Sequence, residues 1–408
     1  MKILCFGSCN VDYVYSVNHI CKPGETIAAD KLNMFPGGKG LNQTVALAKA
    51  GADVYFAGCI GNDGDFLRDV LLDSGADVQY LRKIAEKTGH AIIQVEQSGE
   101  NSIVIFSGAN GCVTKEYIDE VIKDFSPGDF LLIQNEISSL PYLVDVAGKH
   151  GMQIYFNPSP LNEQVRNVNL MKIHCLIVNE TESIEIVGSK DPNIVQEFIK
   201  TNYPHLEILL TLGKRGSVHI SENHIIRQSA YKVESVDSTA AGDSYAGYYL
   251  AGISQGLSVK SAMDRASAAS AVAVSTMGAS ASIPTSKQVD VALSQMVHTS
   301  AVSKDRKELV EAYFLEHYTD GSVKELSAFL GYSTSYTGTW LKENFGLSFT
   351  DLLYVKKCRI CAELLITTEL PVGQIIHHVG CTNESFLRKK FKQQLGCSML
   401  EYRKRNTK

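Results

Sequence analysis

Six short apolar runs recur through residues 1–298: Ile3–Phe6, Val54–Ala57, Phe130–Gln134, Gln153–Phe156, Cys175–Val178 and Ile208–Thr211. Each is four or five residues long, which suits a buried strand better than a helix. Between several of them lie amphipathic helical patterns, at Gln43–Ala50, Asp65–Asp73, Pro141–His150 and Pro192–Thr201. Strands that alternate with helices predict an α/β fold, a parallel sheet covered by helices. Two segments break the alternation. Thr26–Met34 and Ala91–Phe106 read as antiparallel ribbons, the second turning at Gln97-Ser98-Gly99-Glu100-Asn101. Ribbons outside the alternation would form a small β lid.

A chain of 408 residues suggests two domains or three. With 44% hydrophobic and 20% charged residues it reads as an ordinary soluble globular protein. No apolar run reaches the ~18 residues of a membrane span. The short apolar run at Ile3–Phe6 soon meets Asn10 and Asp12, so it reads as a first strand and not as a signal peptide. A cytoplasmic location is therefore expected, with the ten cysteines reduced. Cys358 and Cys361 form a C-x-x-C, but no second tight pair completes a zinc site. Charge is uneven. Residues 300–408 hold 16 Lys/Arg and 12 Asp/Glu, a net of +4, which leaves −9 for residues 1–299. Such asymmetry points to separate domains with different partners.

The stretch Asp237-Ser238-Thr239-Ala240-Ala241-Gly242-Asp243 lies between a β-rich segment, Gly216 to Val236, and a small-residue helical run, Ser244–Ala251. Small residues at a helix start let backbone N–H groups face an anion, and the helix dipole favours negative charge there. An Asp in that turn would be repelled by a phosphate unless it served as a base, taking a proton from an attacking hydroxyl. An ordinary acidic first turn has the same residues, so the heptapeptide alone leaves both readings open.

Other polar residues stand at strand ends. Asn10 and Asp12 are two apart and share one face of an extended chain, a spacing that suits sugar hydroxyls or a solvated strand end. Glu136 and Asn179 each follow an apolar strand. Gly37-Gly38-Lys39-Gly40-Leu41-Asn42-Gln43 precedes a helix, and its glycines allow close backbone approach. It lacks the Walker A spacing. Ligands of open α/β sheets bind beyond the carboxyl ends of strands, so these residues converge on one crevice.

The segments Gly37–Phe66 and Asp237–Gly247 resemble the two signatures of the PfkB, or ribokinase-like, carbohydrate kinases. Asn179-Glu180-Thr181-Glu182 resembles that family's N-x-x-E motif, and Thr211–Gly216 its T-L-G segment. Gly7–Asp12, Pro23–Thr26 and Ser107–Asn110 are similar to segments of its ribokinase branch. The resemblance covers residues 1 to about 297. Many family members have Gly where Ala240 stands, but Ala still supplies an N–H.

The resemblance implies that Asn10, Asp12, Gly38, Lys39, Asn42 and Glu136 hold the sugar, with Asp243 as the catalytic base. Ala240, Ala241 and Gly242 would offer N–H groups to the transferring phosphoryl group. Asn179 and Glu182 would order Mg²⁺, largely through water, and Thr211 and Gly213 would line the ATP site together with Asn179. Asp237, Thr239, Ala273, Thr276, Gly278 and Ser282 match the loop pair that holds K⁺ in ribokinases. Lid strands form a dimer contact in that branch, which implies a homodimer.

Beyond Met296, His298–Ser303 reads as a linker, so the expected domains are 1–297 and 304–408. Val323–Ser333 reads as helix, Gly turn and Ser N-cap, with a second helix to about Asn344, and Val372–Asn383 repeats the plan. This all-α tandem helix-turn-helix resembles the AraC-type DNA-binding domain through Arg359–Leu365, Val379-Gly380, Phe386–Lys392, Gly396 and Tyr402-Arg403. Met399 stands where that family usually has Pro. In the first recognition helix Ser335, Gly338 and Thr339 are the expected outward residues, and none makes bidentate base contacts. In the second, Ser385, Arg388 and Lys389 are candidates for bases, and Lys390, Lys392, Arg403 and Arg405 for phosphates. His377 and His378 lie on different helix faces and are expected to be structural, and Trp340 to pack between helices.

The expectation is a bifunctional protein. One domain phosphorylates a pentose, D-ribose at O5 foremost, and the other binds double-stranded DNA and regulates transcription. The rival is a non-catalytic sugar sensor; a sensor needs none of Asp243, Asn179 and Glu182. Kinases for other sugars or nucleosides share the same motifs.

Overall fold

The computed structural model describes all residues except Gln97, Gly99, Ser235, Met277, residues 301–305, Gly331, Glu369, Thr382 and residues 407–408. Two compact units are present: Met1–Ser183 with Pro192–Met296, and Ile184–Asp191 with Val297–Lys408.

The strands of the first unit are β1 (Ile3–Phe6), β2 (Asn10–Val17), β3 (Lys31–Gly37), β4 (Val54–Ile60), β5 (Asp77–Lys83), β6 (Gly89–Glu96) and β7 (Asn101–Phe106). They continue as β8 (Phe130–Gln134), β9 (Gln153–Asn157), β10 (Ile173–Asn179), β11 (Glu207–Thr211), β12 (Ser217–Ile220) and β13 (Ile225–Gln228). Nine of them form one sheet in the order β13-β12-β11-β10-β9-β8-β1-β4-β5. Every pair in it is parallel except β11–β12 and β12–β13, an antiparallel edge. All six strands expected from apolar runs are there. Ile3, Leu4, Cys5 and Phe6 of β1 are wholly buried, as a central strand covered on both faces requires. Each large apolar side chain so buried contributes about 1.5–3 kcal/mol.

The helices that matter here are α1 (Lys39–Lys49), α2 (Asp65–Ser74), α3 (Lys115–Ile122), α4 (Leu140–His150), α5 (Glu163–Arg166), α6 (Glu180–Val187), α7 (Pro192–Asn202), α8 (Ala241–Ser254), α9 (Val259–Val274) and α10 (Ser286–Ser300). Helix α1 starts four residues before the expected Gln43, directly after Gly38. Gly38 has φ 92°, and a Cβ there would lie 2.9 Å from Asn10 N, so the tight turn depends on glycine. Helix α8 packs against α1 without a spacer. A Cβ on Gly247 would lie 2.4 Å from Ala46 Cβ and 3.0 Å from the Gln43 carbonyl oxygen. The same helix meets α9 through Gly252 and Ala262.

The lid is a separate four-stranded sheet, β3-β2-β6-β7. Here the ribbon expected at Thr26–Met34 is shifted: β3 begins at Lys31, because its register with β2 runs from Ser16↔Lys31 to Asn10↔Gly37. Its partner strand β2 was not expected as part of a ribbon. The second ribbon is the antiparallel pair β6–β7, although two residues of its expected turn, Gln97 and Gly99, lie outside the described residues. The β-rich segment expected to Val236 ends at Gln228. Residues directly opposite in register share a face. Asn10 and Asp12 therefore stand on one face of the lid, and the row Met34, Tyr13, Ile92, Val104 on the other.

In the second unit the helices are α11 (Arg306–Glu316), α12 (Val323–Leu330), α13 (Thr334–Phe345), α14 (Phe349–Thr367), α15 (Val372–His378), α16 (Glu384–Leu395) and α17 (Met399–Asn406). Ser333 caps α13 by accepting from the Tyr336 amide, as expected, and Asn383 does the same for α16 with Phe386. Gly331 of the first turn lies outside the described residues. The expected linker differs: residues 298–300 are the last turn of α10, since His298-Thr299-Ser300 holds no helix breaker, and residues 301–303 lie outside the described residues. Trp340 is half-buried against Val310, Tyr313, Phe314, Leu326 and Leu341, and meets the Phe345 ring edge-on.

Candidate functional site

Five strand ends and two helix starts meet at the carboxyl edge of the sheet. Beyond β1 come Ser8 and Asn10, beyond β8 Glu136, and at the ends of β9, β10 and β11 Asn157, Asn179 and Thr211. This is where strand order changes direction around β1, the usual ligand position in open α/β sheets.

At the centre is Asp243, in the first turn of α8 and only 7% exposed. Its Oδ2 accepts from Asn42 Nδ2 at 3.0 Å and its Oδ1 from Gln43 Nε2 at 2.9 Å. The other Asn42 atom, Oδ1, is buried with no hydrogen-bond partner among the described residues. A buried acceptor of that kind awaits a donor, which a sugar hydroxyl or water supplies. Glu136 Oε2 accepts from the Ser8 hydroxyl and, at 3.1 Å, from the Lys39 amide. Asn110 Nδ2 donates to Asn10 Oδ1 at 2.8 Å, and fixes which way that side chain points.

Charge is concentrated here. Burial, with Glu136 and Asp243 nearby, pushes Asp12 up to about 7. Burial also raises Glu136, although Ser8 and Lys39 oppose it. For Lys39 burial acts downward, but Asp243, Glu136 and Glu182 outweigh it and raise the ammonium. One cation among carboxylates suits a site that takes neutral hydroxyls and a transferring phosphate.

The start of α8 is open. Ala240 is the N-cap and offers no side-chain cap, and a Cβ on Gly242 would meet nothing within 4 Å. The amides of Gly242 and Asp243 have no acceptor among the described residues. Ala241 differs from expectation: its amide donates to the Ser238 carbonyl at 3.2 Å, a bond that an anion would have to displace.

Asn179 and Glu182 form a reciprocal cap. Glu182 Oε2 accepts from the Asn179 amide, and Asn179 Oδ1 from the Glu182 amide, both at 2.9 Å. Ser159 donates to the other Glu182 oxygen. Both Glu182 oxygens are therefore bonded, which fits a carboxylate that orders metal-bound water better than one that binds a metal directly. Among the described residues no three His, Cys, Asp or Glu side chains form a metal-holding group. Thr211 is the register partner of Asn179, which places them side by side, and its Oγ1 donates to the Val178 carbonyl at 3.3 Å. Gly213 is open, with φ 57°. Arg215 pairs with Glu180 at 2.6 Å and ties the Thr211–Gly216 segment to α6, a link the motifs did not disclose.

Asp237 joins the two loops expected to hold a monovalent cation. Oδ1 accepts from the Thr239 amide at 2.9 Å and hydroxyl at 2.5 Å, and Oδ2 from the Gly278 amide at 3.0 Å. Burial acts to raise this carboxyl, but these bonds prevail and lower it. Carbonyl oxygens of the expected set are partly engaged: that of Ala273 accepts from Thr276 N at 3.1 Å. Ser282 Oγ donates to the Ala279 carbonyl.

Sequence reasoning missed the second support of Asp243. In sequence Gln43 closes a glycine-rich motif and opens a helical pattern, and Gln134 ends an apolar strand. Neither carries a local signal, because the contact depends on two helices meeting.

In the helix-turn-helix unit, Ser385, Arg388, Lys389 and Lys392 of α16 are exposed. Arg388, Lys389 and Lys392 border a cavity of about 290 Å³ with Ser398, Met399 and Leu400. Lys390 is paired with Asp351 at 2.7 Å. Arg403 departs from the expected phosphate contact: Nε donates to the Leu365 carbonyl at 3.1 Å and Nη2 to that of Leu370 at 2.6 Å. The guanidinium holds α17 to the end of α14 instead. Lys342, not expected, lies on α13 one turn beyond Thr339, as Lys392 does beyond Lys389 on α16.

Residues 1–286 match the pfkB family carbohydrate kinases, and residues 326–405 a helix-turn-helix domain. A ribokinase of Staphylococcus aureus is 33% identical over 303 residues, covering 71% of this chain and 98% of that protein. A ribokinase structure from Cryptococcus neoformans in complex with ADP matches with TM-score 0.61 and 33% identity, covering 71% of this chain and 99% of that one. The Arabidopsis thaliana ribokinase complexed with ribose and ATP matches with TM-score 0.62 and 27% identity, over 72% and 98%. With the signatures, the sheet and the crevice agreeing, the chain belongs to the pfkB family of carbohydrate kinases and carries a C-terminal AraC-type helix-turn-helix domain.

Proposed function

We propose that the first unit transfers the γ-phosphoryl group of ATP to O5 of D-ribose, and that the second binds double-stranded DNA and regulates transcription. The observation that supports the kinase reading best is Asp243, oriented by two amides at the open start of α8. Its carboxylate takes the proton of the attacking hydroxyl, while Gly242, with Ala240 and Ala241, presents amides to the phosphoryl oxygens. Asn10, Asp12, Gly38, Lys39, Asn42 and Glu136 bind and orient the sugar. Thr211, Gly213 and Asn179 line the nucleotide side. Bound Mg²⁺ supplies charge neutralisation on the phosphates, and Asn179 and Glu182 fit it through water. Asp237, Thr239, Ala273, Thr276, Gly278 and Ser282 would hold K⁺, which would supply charge that steadies the turn into α8; Asp237 already bridges the two loops.

Ribose is the proposed acceptor because the ribokinases named above align over nearly their whole length. A coupled assay of the full chain with ATP, Mg²⁺, K⁺ and a panel of pentoses, hexoses and nucleosides tests it. Turnover highest on ribose and abolished in Asp243→Ala is expected. Absence of turnover on every acceptor removes the enzyme proposal and favours a sugar sensor.

DNA binding is supported by the exposed Ser385, Arg388, Lys389 and Lys392 of α16. A mobility shift of the full chain at low salt, with and without ribose, tests it. Loss of binding at the lowest salt would end the regulator reading. A homodimer through the lid is also proposed, because Met34, Ile92, Val104 and Phe106 are exposed on one lid face. Sedimentation at assay concentration should give a mass of two chains.

A further inference from the structure

Beneath Asp243 a line of buried amides runs into the sheet. Gln43 Nε2 donates to Asp243 Oδ1 at 2.9 Å, and Gln134 Nε2 donates to Gln43 Oε1 at 2.7 Å. Gln43 Nε2 also lies 3.4 Å from Asn157 Oδ1, and Asn157 is itself anchored by Nδ2 on the Ile177 carbonyl at 2.8 Å. The ends of β8 and β9 and the body of β10 thus converge on one amide of α1. Gln134 is backed by Cys5 at 3.6 Å. Burial pushes the Cys5 thiol up to about 11, so it stays neutral and adds no charge under the relay.

Gln134 is a costly residue for its position. It is 0% exposed, at the end of a central strand whose other residues are Phe, Leu, Leu and Ile. Its Oε1 is buried without a partner among the described residues. Gly7 leaves room for that oxygen, since a Cβ there would lie 2.2 Å from it. An apolar side chain would fit a strand core better and leave no orphaned acceptor. What Gln134 adds is direction. An amide can turn either its oxygen or its nitrogen toward Asp243. Gln134 engages Gln43 Oε1, and that leaves Nε2 to face the carboxylate. With Asn42 holding the other oxygen, rotation of the carboxylate plane is arrested.

We propose that Gln43 and Gln134 are positioning residues for phosphoryl transfer, a two-amide relay that fixes the plane of the Asp243 carboxylate toward the attacking hydroxyl. This rests on Asp243 as the general base. Neither glutamine touches the reacting atoms; Gln134 acts only through Gln43.

The test uses the full chain with ribose and ATP, and five variants: Gln134→Met, Gln134→Asn, Gln43→Met, the double Met variant, and Asp243→Ala. Methionine matches glutamine in length and removes its hydrogen bonds. Gln134→Met should keep or raise Tm, hold both KM values within about threefold, and lower kcat about 10- to 100-fold, since misplacement of a catalytic group falls on turnover. The double variant should lose no more kcat than Gln43→Met, because the two act in one line. Gln134→Asn, which keeps an amide one methylene short, should recover part of kcat. Wild-type kcat in Gln134→Met, or a loss that tracks a fall in Tm, overturns the relay while Asp243→Ala still confirms the base. Independent, multiplying losses in the double variant overturn it too. Turnover retained in Asp243→Ala overturns the base and the relay together.

Discussion

Asn42 and Asp243 stand 201 positions apart in sequence and 3.0 Å apart in the fold, Nδ2 donating to Oδ2. One amide of Asn42 thus holds the base while its oxygen remains free for a substrate hydroxyl. Asn42→Ala removes both contacts. The loss of kcat/KM for the sugar should be about 100-fold or more, with little change in KM for ATP. Steady-state kinetics with each substrate varied in turn will show it; equal losses for both would mean a general disturbance of the site.

That contact depends on how closely α8 approaches α1. Gly247 meets Ala46 and the Gln43 carbonyl where any Cβ would overlap. Gly247→Ala should therefore push the helices apart, at a cost of about 1–3 kcal/mol in stability. It should also lower kcat, although Gly247 lies a full turn beyond Asp243. Urea denaturation and kinetics on the same preparation separate the two effects. A stable variant with unchanged kcat would show that the packing can yield.

Asp12 should make stability depend on pH. Its carboxyl is raised from 3.8 to about 7, so the folded chain holds the proton more tightly than the unfolded chain. That contribution is fully present below about pH 3.8 and is lost as pH rises through about 7. A neutral amide has nothing to lose. The Tm of Asp12→Asn should therefore exceed that of wild type at about pH 8, with a smaller difference at about pH 5. Sugar KM should rise at both. Thermal melts in the absence of sugar measure the first effect; a difference independent of pH would contradict the burial of this carboxyl.

Lys357 is 4% exposed on α14, and burial holds its ammonium below the usual lysine range. Its Nζ donates to the Gly380 carbonyl at 2.7 Å and to the Thr319 carbonyl at 3.3 Å. It pins the turn of the second helix-turn-helix to the turn that precedes the first. Lys357→Met leaves two carbonyls unpaired and should destabilise this unit by about 1–3 kcal/mol. DNA affinity should fall while ribose turnover stays at the wild-type level. Loss of both together would instead indicate global unfolding.

The basic residues of the tail should divide by salt dependence. Lys392→Ala should reduce the slope of log affinity against log salt by about 1, as a lost phosphate contact does. Arg403→Ala should leave the slope unchanged and lower Tm, because its guanidinium holds the Leu365 and Leu370 carbonyls. Binding isotherms at several salt concentrations decide between the roles.

The α/β sheet was legible in the chain, because buried parallel strands must be short apolar runs and each keeps its own composition. Motif spacing also placed Asp243 at a helix start and Asn179 beside Glu182, since caps and turns are local. The start expected for β3 differs, because the extent of that strand is set by its register with β2, and residues 298–300, expected as linker, are the last turn of α10. What holds Asp243 emerges from packing between distant segments. Gln43 and Gln134 look like any polar residues on a helix and at a strand end. Their role arises where α8 meets α1 above β8, and contacts across such separations leave no periodic or local trace in the chain. The same holds for Arg403, basic in sequence and engaged in the fold, where two carbonyls of α14 and its following turn reach the guanidinium.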